Sequence, residues 1–484
     1  MSAAGLALGI VALVIVATIL FALWSSWHVH TSPVEFIVGG RSFGTVFLWL
    51  LLAGEVYTSF TFLGAAGLAY GRGAPAYYIL AYGTCGYVIG YFLLPAIWRV
   101  GKERGLLTGP DFFIDRYGSR TLGVGIALVQ LVFMIPYVTL QLSGLQTLLA
   151  LAGYGTFDAT AAVGVAFLLI ALFVFSAGLR GTAWASVIKD ALVLAAVVFA
   201  GIALPLHFFG SIPGMFAHLR AAHAAMLTLA PAGAPNGTVW YVSTVLLTGI
   251  GFFMGPQSFA ATYSARSESV LRRNAVFLPL YQVVLLLVFF AGFSALLIVP
   301  GLKGAKVDES FLLVVQRFYP PWVMGLVAAA GALAALVPAS ALLLGTASVA
   351  AKNVLGDGLG LARSDSARVL ATRAFVLVIA VLALALWLFE KQTLVGLLLI
   401  VYNGITQAAP GVVSAFVWRR ATAWGVGAGV AGGIATVICL TATPAPWGVN
   451  PGFLGLLVNV VLLVAVSIVT KSSLDSTRAY RRAD

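Results

Sequence analysis

The sequence has few charged residues and few cysteines, and each shortage argues against a class of protein. Charged residues make up 9% of the 484 positions, whereas hydrophobic residues make up 61% and the mean hydropathy is +1.04. A soluble core does not need this composition, so we expect a polytopic membrane protein embedded in the lipid bilayer. The two cysteines, Cys85 and Cys439, lie in apolar segments, which argues against a disulfide framework and a thiolate metal site.

Recognisable catalytic motifs are missing as well. The five histidines fall in loops or at the ends of apolar segments, without an H-E-x-x-H motif or a Cys/His cluster. No serine stands in a G-x-S-x-G elbow. We therefore expect neither an enzyme nor a resident metal or other cofactor. The net charge of +12 is scattered between apolar segments, so it indicates cytoplasmic loops and argues against a nucleic-acid partner.

The apolar segments predict thirteen membrane-spanning helices. With the N-terminus outside, interior loops hold twenty basic residues and exterior loops hold six, which predicts a cytoplasmic C-terminus in the plasma (inner) membrane. The first apolar segment has no positive n-region and no small-residue cleavage site, so we expect a retained span rather than a signal peptide. The predicted spans are 4–25, 45–70, 74–98, 121–151, 158–177, 182–206, 239–262, 275–300, 323–351, 374–389, 393–417, 421–441 and 452–470.

The segment from Thr45 to Tyr70 carries polar groups in its middle. Glu55 lies ~15 Å from the start at helical rise, where a carboxylate is costly unless it is paired, protonated or facing water. Hydroxyls and glycines follow it: Thr58, Ser59, Thr61, Gly64 and Gly67. They predict that the helix unwinds inside the membrane, where free backbone groups can hold an ion or a substrate. The alternative is an intact, closely packed helix with Glu55 in one buried hydrogen bond.

A second span, 239–262, has a similar interruption. Its glycines and proline precede two polar residues, in the order Gly249, Gly251, Gly255, Pro256, Gln257 and Ser258. Five spans in residues 45–206 match five in 239–417, and a broken lead helix in both halves is typical of inverted-repeat transporters. We predict an all-α fold with a 5+5 inverted repeat and broken first and sixth core helices. Residues 1–44 would add a span and a cytoplasmic linker, 207–238 an exterior loop, and 418–484 C-terminal spans and a cytoplasmic tail.

The exterior loop of residues 301–322 is long enough to carry structure of its own. It contains the amphipathic run DESFLLVVQRF before Pro320 and Pro321. This pattern predicts a short helix on the membrane surface.

A further pair of charges, Lys189 and Asp190, lies inside a predicted span. Lys189 is about two and a half turns past Arg180, so its ammonium could reach the cytoplasmic surface. A lysine buried there could instead exchange protons near neutrality. Other mid-membrane polar residues, among them Gln141, Asn403 and Gln407, could bind substrate or hold helices together.

Several stretches resemble the sodium:solute symporter family. FIVGGRSFG precedes the first broken helix, GLLTGPDFFIDRYGSR resembles an interior loop of that family, and YNGITQAAPGVVSAFVWRR resembles its tenth core helix. Residues 176–190, 253–281 and 335–340 look most like the monocarboxylate permease subgroup. The resemblance implies an inverted-repeat symporter, and the subgroup resembles proton-dependent uptake systems for lactate, pyruvate and related short acids.

The resemblance also implies where a coupling ion would bind. Sodium in the family takes backbone carbonyls of the first broken helix, here Gly54 and Tyr57. It also takes two adjacent hydroxyls of the eighth core helix, and these fall on Pro338 and Ala339, with Ser340 the nearest hydroxyl.

The fifth-helix position of the family also differs here. The family's aspartate falls on Ser186, with Lys189 one turn further on. Some proton-coupled carriers of the same fold resemble this, since they place a lysine where sodium would bind.

Taken together, these features predict a monomeric importer of a small organic anion, of the monocarboxylate type, coupled to H+ through alternating access. The predicted coupling-site residues are Glu55, Lys189, Gly54, Tyr57, Ser186, Ala335 and Ser340. The predicted substrate-site residues are Thr58, Ser59, Thr61, Gln141, Gln257, Ser258, Asn403 and Gln407. One alternative is Na+ coupling through Gly54, Tyr57, Glu55 and Ser340, and a more remote one is a transporter-like membrane sensor.

Overall fold

The computed structural model of the protein describes residues 2–26, 33–156, 158–230, 236–362, 364–389, 392–441 and 446–470. Within these ranges the fold is all-helical, as predicted, and the only β-type pairing is an isolated parallel bridge between Phe43 and Ala265. The α-helices are α1 (Ala3–Ser26), α2 (Pro33–Val38), α3 (Thr45–Val56), α4 (Ala65–Arg72), α5 (Tyr78–Arg104), α6 (Gly109–Tyr117), α7 (Arg120–Ala152), α8 (Ala159–Val198), α9 (Leu204–Phe209), α10 (Ile212–His223), α11 (Thr238–Gly251), α12 (Pro256–Ser264), α13 (Glu268–Gln282), α14 (Leu285–Ile298), α15 (Ser310–Phe318), α16 (Pro321–Val349), α17 (Asp365–Phe389), α18 (Leu394–Ile405), α19 (Ala409–Val417), α20 (Ala423–Thr441) and α21 (Pro451–Val469).

Short helical turns of other types connect several of these helices. π-Helical turns occur at Phe60–Gly64, Phe199–Ala203 and Ala350–Gly358. 3₁₀ turns occur at Gly39–Arg41, Ala74–Tyr77, Ala224–Leu227, Gly304–Glu309, Thr406–Ala408 and Pro446–Gly448. π-Turns inside helices often accompany functional sites, and the first of them follows the break predicted after Glu55.

Fewer helices can cross a membrane than the thirteen predicted from the sequence. By length and composition, ten helices of the described residues are suitable, or eleven if the bent pair α11 and α12 forms one span. Two predicted spans are missing from this count: 45–70, which is broken, and 158–177, which is continuous with 182–206 in the 40-residue helix α8. Residues 178–181, between 158–177 and 182–206, contain glycines but no proline, and glycine permits a helix that proline would interrupt.

The first predicted break is confirmed. Helix α3 ends at Val56, and Tyr57 leaves the helical region with φ −94° and ψ 84°. The Thr61 hydroxyl donates to the Val56 carbonyl (2.7 Å), and the Thr58 N–H donates to the Thr61 hydroxyl oxygen (2.9 Å). These side chains satisfy backbone groups that the break frees, which is what allows a non-helical turn at membrane depth.

The second predicted break is confirmed as well. Helices α11 and α12 are bent by 47° relative to each other. The residues between them, 252–255, lie outside both helices, and Pro256 stands in the first turn of α12. Proline suits that position because its missing N–H has no partner in the first helical turn.

Helix α15 was predicted to rest with its apolar face on the membrane surface, but in the structure protein covers this face. Its apolar side chains are buried within the protein, and the helix contacts α4, α7 and α16. The buried apolar residues are Phe311, Leu312, Val314 and Val315. The amphipathic pattern is therefore explained by packing of α15 against other helices, because protein can cover an apolar helix face as well as lipid can.

Candidate functional site

A narrow cavity lies between the first broken helix and α7, α8, α12 and α16. Its walls include Gly54, Tyr137, Thr182, Ser186, Gln257 and Pro338. The free space holds about one water molecule. The cavity joins residues that are far apart in sequence, and several of them are predicted site residues. In this conformation it is too small to hold an organic acid.

Lys189 reaches this region from α8 and does not extend to the membrane surface. Its side chain is fully buried, and its Nζ lies 2.7 Å from Oδ1 of Asp190. A Cβ atom built on Gly54 would stand 3.4 Å from this Nζ, which places the ammonium directly beside the last turn of α3. The carbonyls at a helix C-terminus carry partial negative charge, so a cation is favoured at this position.

No role was predicted from the sequence for Asp190, the partner of Lys189. Its carboxylate is also buried, and the Tyr281 hydroxyl lies 3.5 Å from Oδ1. Tyr281 in turn packs against Tyr57, with ring centroids 4.6 Å apart, and its carbonyl accepts from the Tyr57 hydroxyl. The position of Asp190 directly after Lys189 was the available signal, because a buried ammonium needs a counter-charge.

A pair of hydroxyl groups connects α8 and α16 beside the cavity. Thr182 Oγ1 and Ser340 Oγ lie 2.8 Å apart, and Thr182 was not among the predicted residues. Ser186 lies one turn after Thr182 and donates to its carbonyl. Ala335 is buried in α16 but does not line the cavity, and its methyl group offers no oxygen ligand. Ser340 contacts Thr182, which lines the cavity, and its role in a coupling site stays a prediction.

The predicted substrate residues of the first break face α7. The Ser59 N–H donates to Oε1 of Gln141 at 3.2 Å. The Ser59 hydroxyl and the Gln141 amide nitrogen have no partner among the described residues, although both side chains are fully buried. Thr58 and Thr61 instead use their hydroxyls on the backbone of the break. Ser59 and Gln141 therefore keep free polar atoms, whereas Thr58 and Thr61 have a structural use.

Gln257 and Ser258 begin helix α12 beside the cavity. Gln257 lines the cavity, and its Oε1 has no hydrogen-bond partner in the described part of the chain. Ser258 is fully buried in the same helical turn. N–H groups at a helix N-terminus favour an anion, so this turn can face a carboxylate.

Asn403 and Gln407 are not brought to this cavity. Gln407 donates to the carbonyls of Asn403 and Gly452, both at 3.1 Å, and Asn459 of α21 donates to its side-chain oxygen. The Asn403 amide oxygen packs against Gly452, since a Cβ there would stand 2.4 Å from it. These two side chains join α18 to the C-terminal helix α21, so their role in substrate binding stays a prediction.

The remaining predicted coupling-site residues, Glu55 and Tyr57, lie at the end of α3. Glu55 lies in the last turn of α3, and its side chain is outside the described part of the structure. Tyr57 caps α3, and its side chain points toward α13, where its hydroxyl meets the Tyr281 carbonyl at 3.2 Å.

A polar cluster fixes the predicted interior loop to the end of α16. Asp111 of α6 accepts from the backbone N–H groups of Leu107 and Thr108, and it is paired with Lys352. Asn353 donates to Asp111 at 2.8 Å. Burial alone would raise the pKa of Asp111, but the Lys352 ammonium and these hydrogen bonds hold the pKa below its usual value. The ionised carboxylate therefore stabilises this junction.

Known proteins resemble the chain over most of its length. The profile of the sodium:solute symporter family matches residues 36–433. The uncharacterized symporter YhjB of Bacillus subtilis is 42% identical over 411 residues, which cover 84% of this chain and 83% of that protein. The monocarboxylate transport permease protein of Rhizobium johnstonii is 30% identical over 403 residues, which cover 82% and 81%.

A solved structure confirms the predicted fold. The substrate-bound outward-open state of a Na+-coupled sialic acid symporter superposes with a TM-score of 0.77 and covers 96% of this chain and 98% of that chain. The two sequences are 17% identical, so the likeness concerns the fold. The family and these relatives are symporters rather than enzymes, which confirms that prediction. With two broken helices around a shared cavity and a family match over most of its length, the chain belongs to the sodium:solute symporter family, as a multi-pass membrane symporter of a small solute.

Proposed function

We propose that this symporter imports a small organic anion of the monocarboxylate type in symport with protons. It would work as a monomer in the plasma membrane, with its N-terminus outside and its C-terminus in the cytoplasm. The observation that carries the proposal is the buried Lys189 ammonium beside Gly54, at the C-terminal end of α3. Protonated Lys189 would satisfy the negative end of the helix as a bound cation does, and Lys189 together with Glu55 would carry the coupling proton.

The substrate side of the proposal rests on the chemistry around the cavity. The first turn of α12 presents a helix N-terminus, which carries partial positive charge. Ser59 and Gln141 add unused polar atoms at the first break. A carboxylate would meet favourable partial charge at α12. The name of the Rhizobium johnstonii relative supports the same substrate class.

Sodium coupling is a second candidate, favoured by the family and by the Na+-coupled symporter of the same fold. The predicted ligands would be the carbonyls of Gly54 and Tyr57, the Glu55 carboxylate and Ser340. The Thr182 and Ser340 hydroxyls, 2.8 Å apart, offer oxygen atoms on two of the helices that line the cavity. Lys189 would then be a structural ion-pair partner of Asp190.

Transport into proteoliposomes separates the two candidates. Labelled pyruvate and lactate are supplied with a pH gradient alone and, separately, with a sodium gradient alone. Accumulation on the pH gradient is the expected result. Accumulation on the sodium gradient alone would establish the second candidate, and accumulation on neither would contradict the substrate class.

A further inference from the structure

The predicted exterior loop before α15 places one carboxylate at the meeting point of three elements. Asp308 lies in the 3₁₀ turn Gly304–Glu309 and is 5% exposed. Its Oδ2 accepts a hydrogen bond from the backbone N–H of Leu394, the first residue of α18, at 2.8 Å. Its main chain and Oδ1 pack directly on Gly67 of α4. One side chain thus touches the outer half of the first broken helix, the loop and the beginning of α18.

The contact with α4 depends on a glycine. A Cβ atom at Gly67 would stand 2.4 Å from Asp308 Oδ1 and 2.9 Å from its Cα. Next to this contact, Gly64 lets α18 approach the broken helix, since a Cβ there would stand 3.0 Å from Leu394 Cβ. Separation of α4 from α18 therefore requires the contacts of Asp308 to be released.

Burial makes this contact sensitive to protonation. Oδ1 of Asp308 has no hydrogen-bond partner among the described residues, and Asp308 forms no ion pair there. Burial raises the pKa of Asp308 to about 7, with the Leu394 N–H acting against the rise and the Glu309 carboxylate adding to it. Among the described residues, the charged groups on the loop and on the helices packed around it are Arg72, Lys303, Lys306, Glu309 and Arg317.

We propose that Asp308 is a proton-binding latch that holds α4, the exterior loop and α18 together and so closes the exterior side of the transport path. The closed state buries the carboxyl group without an ion pair among the described residues, so it favours the protonated form, whereas an open state would expose the carboxylate to water. Closure is therefore strongest at low pH and weakens as the pH rises toward 7. The latch rests on the alternating access and orientation proposed above, but it does not depend on which solute or ion is carried.

Labelling of a buried cysteine measures the opening without any substrate. In a chain with both native cysteines replaced by serine, Val395→Cys places a thiol on α18, where Val395 is 5% exposed and contacts Gly64. A membrane-impermeant thiol reagent is added from outside between pH 5 and pH 8. The labelling rate is divided by that of the same chain carrying Asp308→Asn at the same pH, so that the changing thiolate fraction cancels.

We expect this ratio to rise by one to two orders of magnitude from pH 5 to pH 8 and to level off above pH 7. Asparagine keeps the acceptor for the Leu394 N–H but stays neutral at every pH, so it mimics the protonated latch. Glu309→Gln is the matched control, because it removes the neighbouring carboxylate without touching Gly67 or Leu394, and it should show the same rise. A flat ratio, or loss of the rise in Glu309→Gln, would overturn the latch.

A second variant tests the packing independently. Gly67→Ala should force α4 away from Asp308 and give rapid labelling even at pH 5, and continued protection at pH 5 would also overturn the latch. These outcomes are distinct from a failure of the proposed function. If pyruvate and lactate are not transported, the substrate assignment fails while the labelling result stands.

Discussion

The Lys189 ammonium lies against the backbone of Gly54, so that a single methyl group on Gly54 would fill the space between them. The added Cβ would stand 3.4 Å from Nζ and 3.6 Å from the Ser186 hydroxyl. Both are ordinary van der Waals distances, so the position tolerates alanine sterically, and the methyl group would lie between the ammonium and the backbone of α3. Substitution of Gly54 therefore tests whether Lys189 has a functional role or only a structural one.

Gly54→Ala should lower transport while leaving the fold intact. Alanine favours a helix by roughly 0.5–1 kcal/mol relative to glycine, so thermal stability should be unchanged or slightly higher. Uptake should fall about tenfold or more, because the methyl group would separate the Lys189 ammonium from the backbone at the C-terminal end of α3. Gly164→Ala in α8, where a Cβ meets open space, is the matched control and should leave uptake unchanged. Normal uptake by Gly54→Ala would show that transport does not depend on this contact.

Lys189→Ala should abolish accumulation driven by a pH gradient. The substitution removes the proposed proton carrier and leaves the Asp190 carboxylate buried without its partner, so stability should also be measured. The double substitution Lys189→Ala with Asp190→Ala removes both charges and should restore stability but not pH-driven uptake. Lys102→Ala, at an exposed lysine of α5, is the control. Unchanged pH-driven uptake by Lys189→Ala would contradict the role.

Gln407→Ala should destabilise the protein without weakening substrate binding. It removes the hydrogen bonds to the Gly452 carbonyl and to Asn459, at a cost of about 1 kcal/mol. The measurements are thermal unfolding in detergent and the substrate concentration at half-maximal uptake. An increase in that concentration at unchanged stability would instead place Gln407 in the substrate site, as predicted from the sequence.

Asp111→Asn should destabilise the protein at neutral pH by about 3 kcal/mol, because it breaks a buried pair with Lys352. The pKa of Asp111 is lowered in the folded state, so its stabilising effect is present above the usual value near 3.8 and is lost as the pH falls through the folded pKa. The difference in the free energy of unfolding between the parent protein and Asp111→Asn should therefore shrink as the pH falls. Thermal unfolding measured from pH 3 to pH 8 tests this.

A suitable comparison for that measurement is Asp365→Asn. The Asp365 side chain is 74% exposed and lies 3.9 Å from Arg368. Exposed pairs contribute little, so this variant should change stability by less than about 1 kcal/mol. Equal effects of the two substitutions would show that the Asp111 pair is not buried in solution.

The sequence alone determined the all-helical membrane fold and both helix breaks, because these follow from local chemistry. The length of the apolar segments predicts helices that cross the lipid bilayer. The hydroxyl groups of Thr58 and Thr61 supply the hydrogen bonds that an unwound turn needs. The family resemblance followed from the same local stretches. The count of spans was less accurate, since helix α8 continues through residues that separated two predicted spans.

Only the tertiary structure decided where the polar side chains point. A lysine can extend to the surface or remain buried, and the neighbouring Asp190 and Gly54 keep Lys189 inside. Gln407 and Gln141 have the same side chain in similar apolar surroundings, yet one meets α21 and the other meets Ser59. Local sequence determines the polarity of a helix, whereas the partner of each buried polar group depends on which distant helix packs beside it.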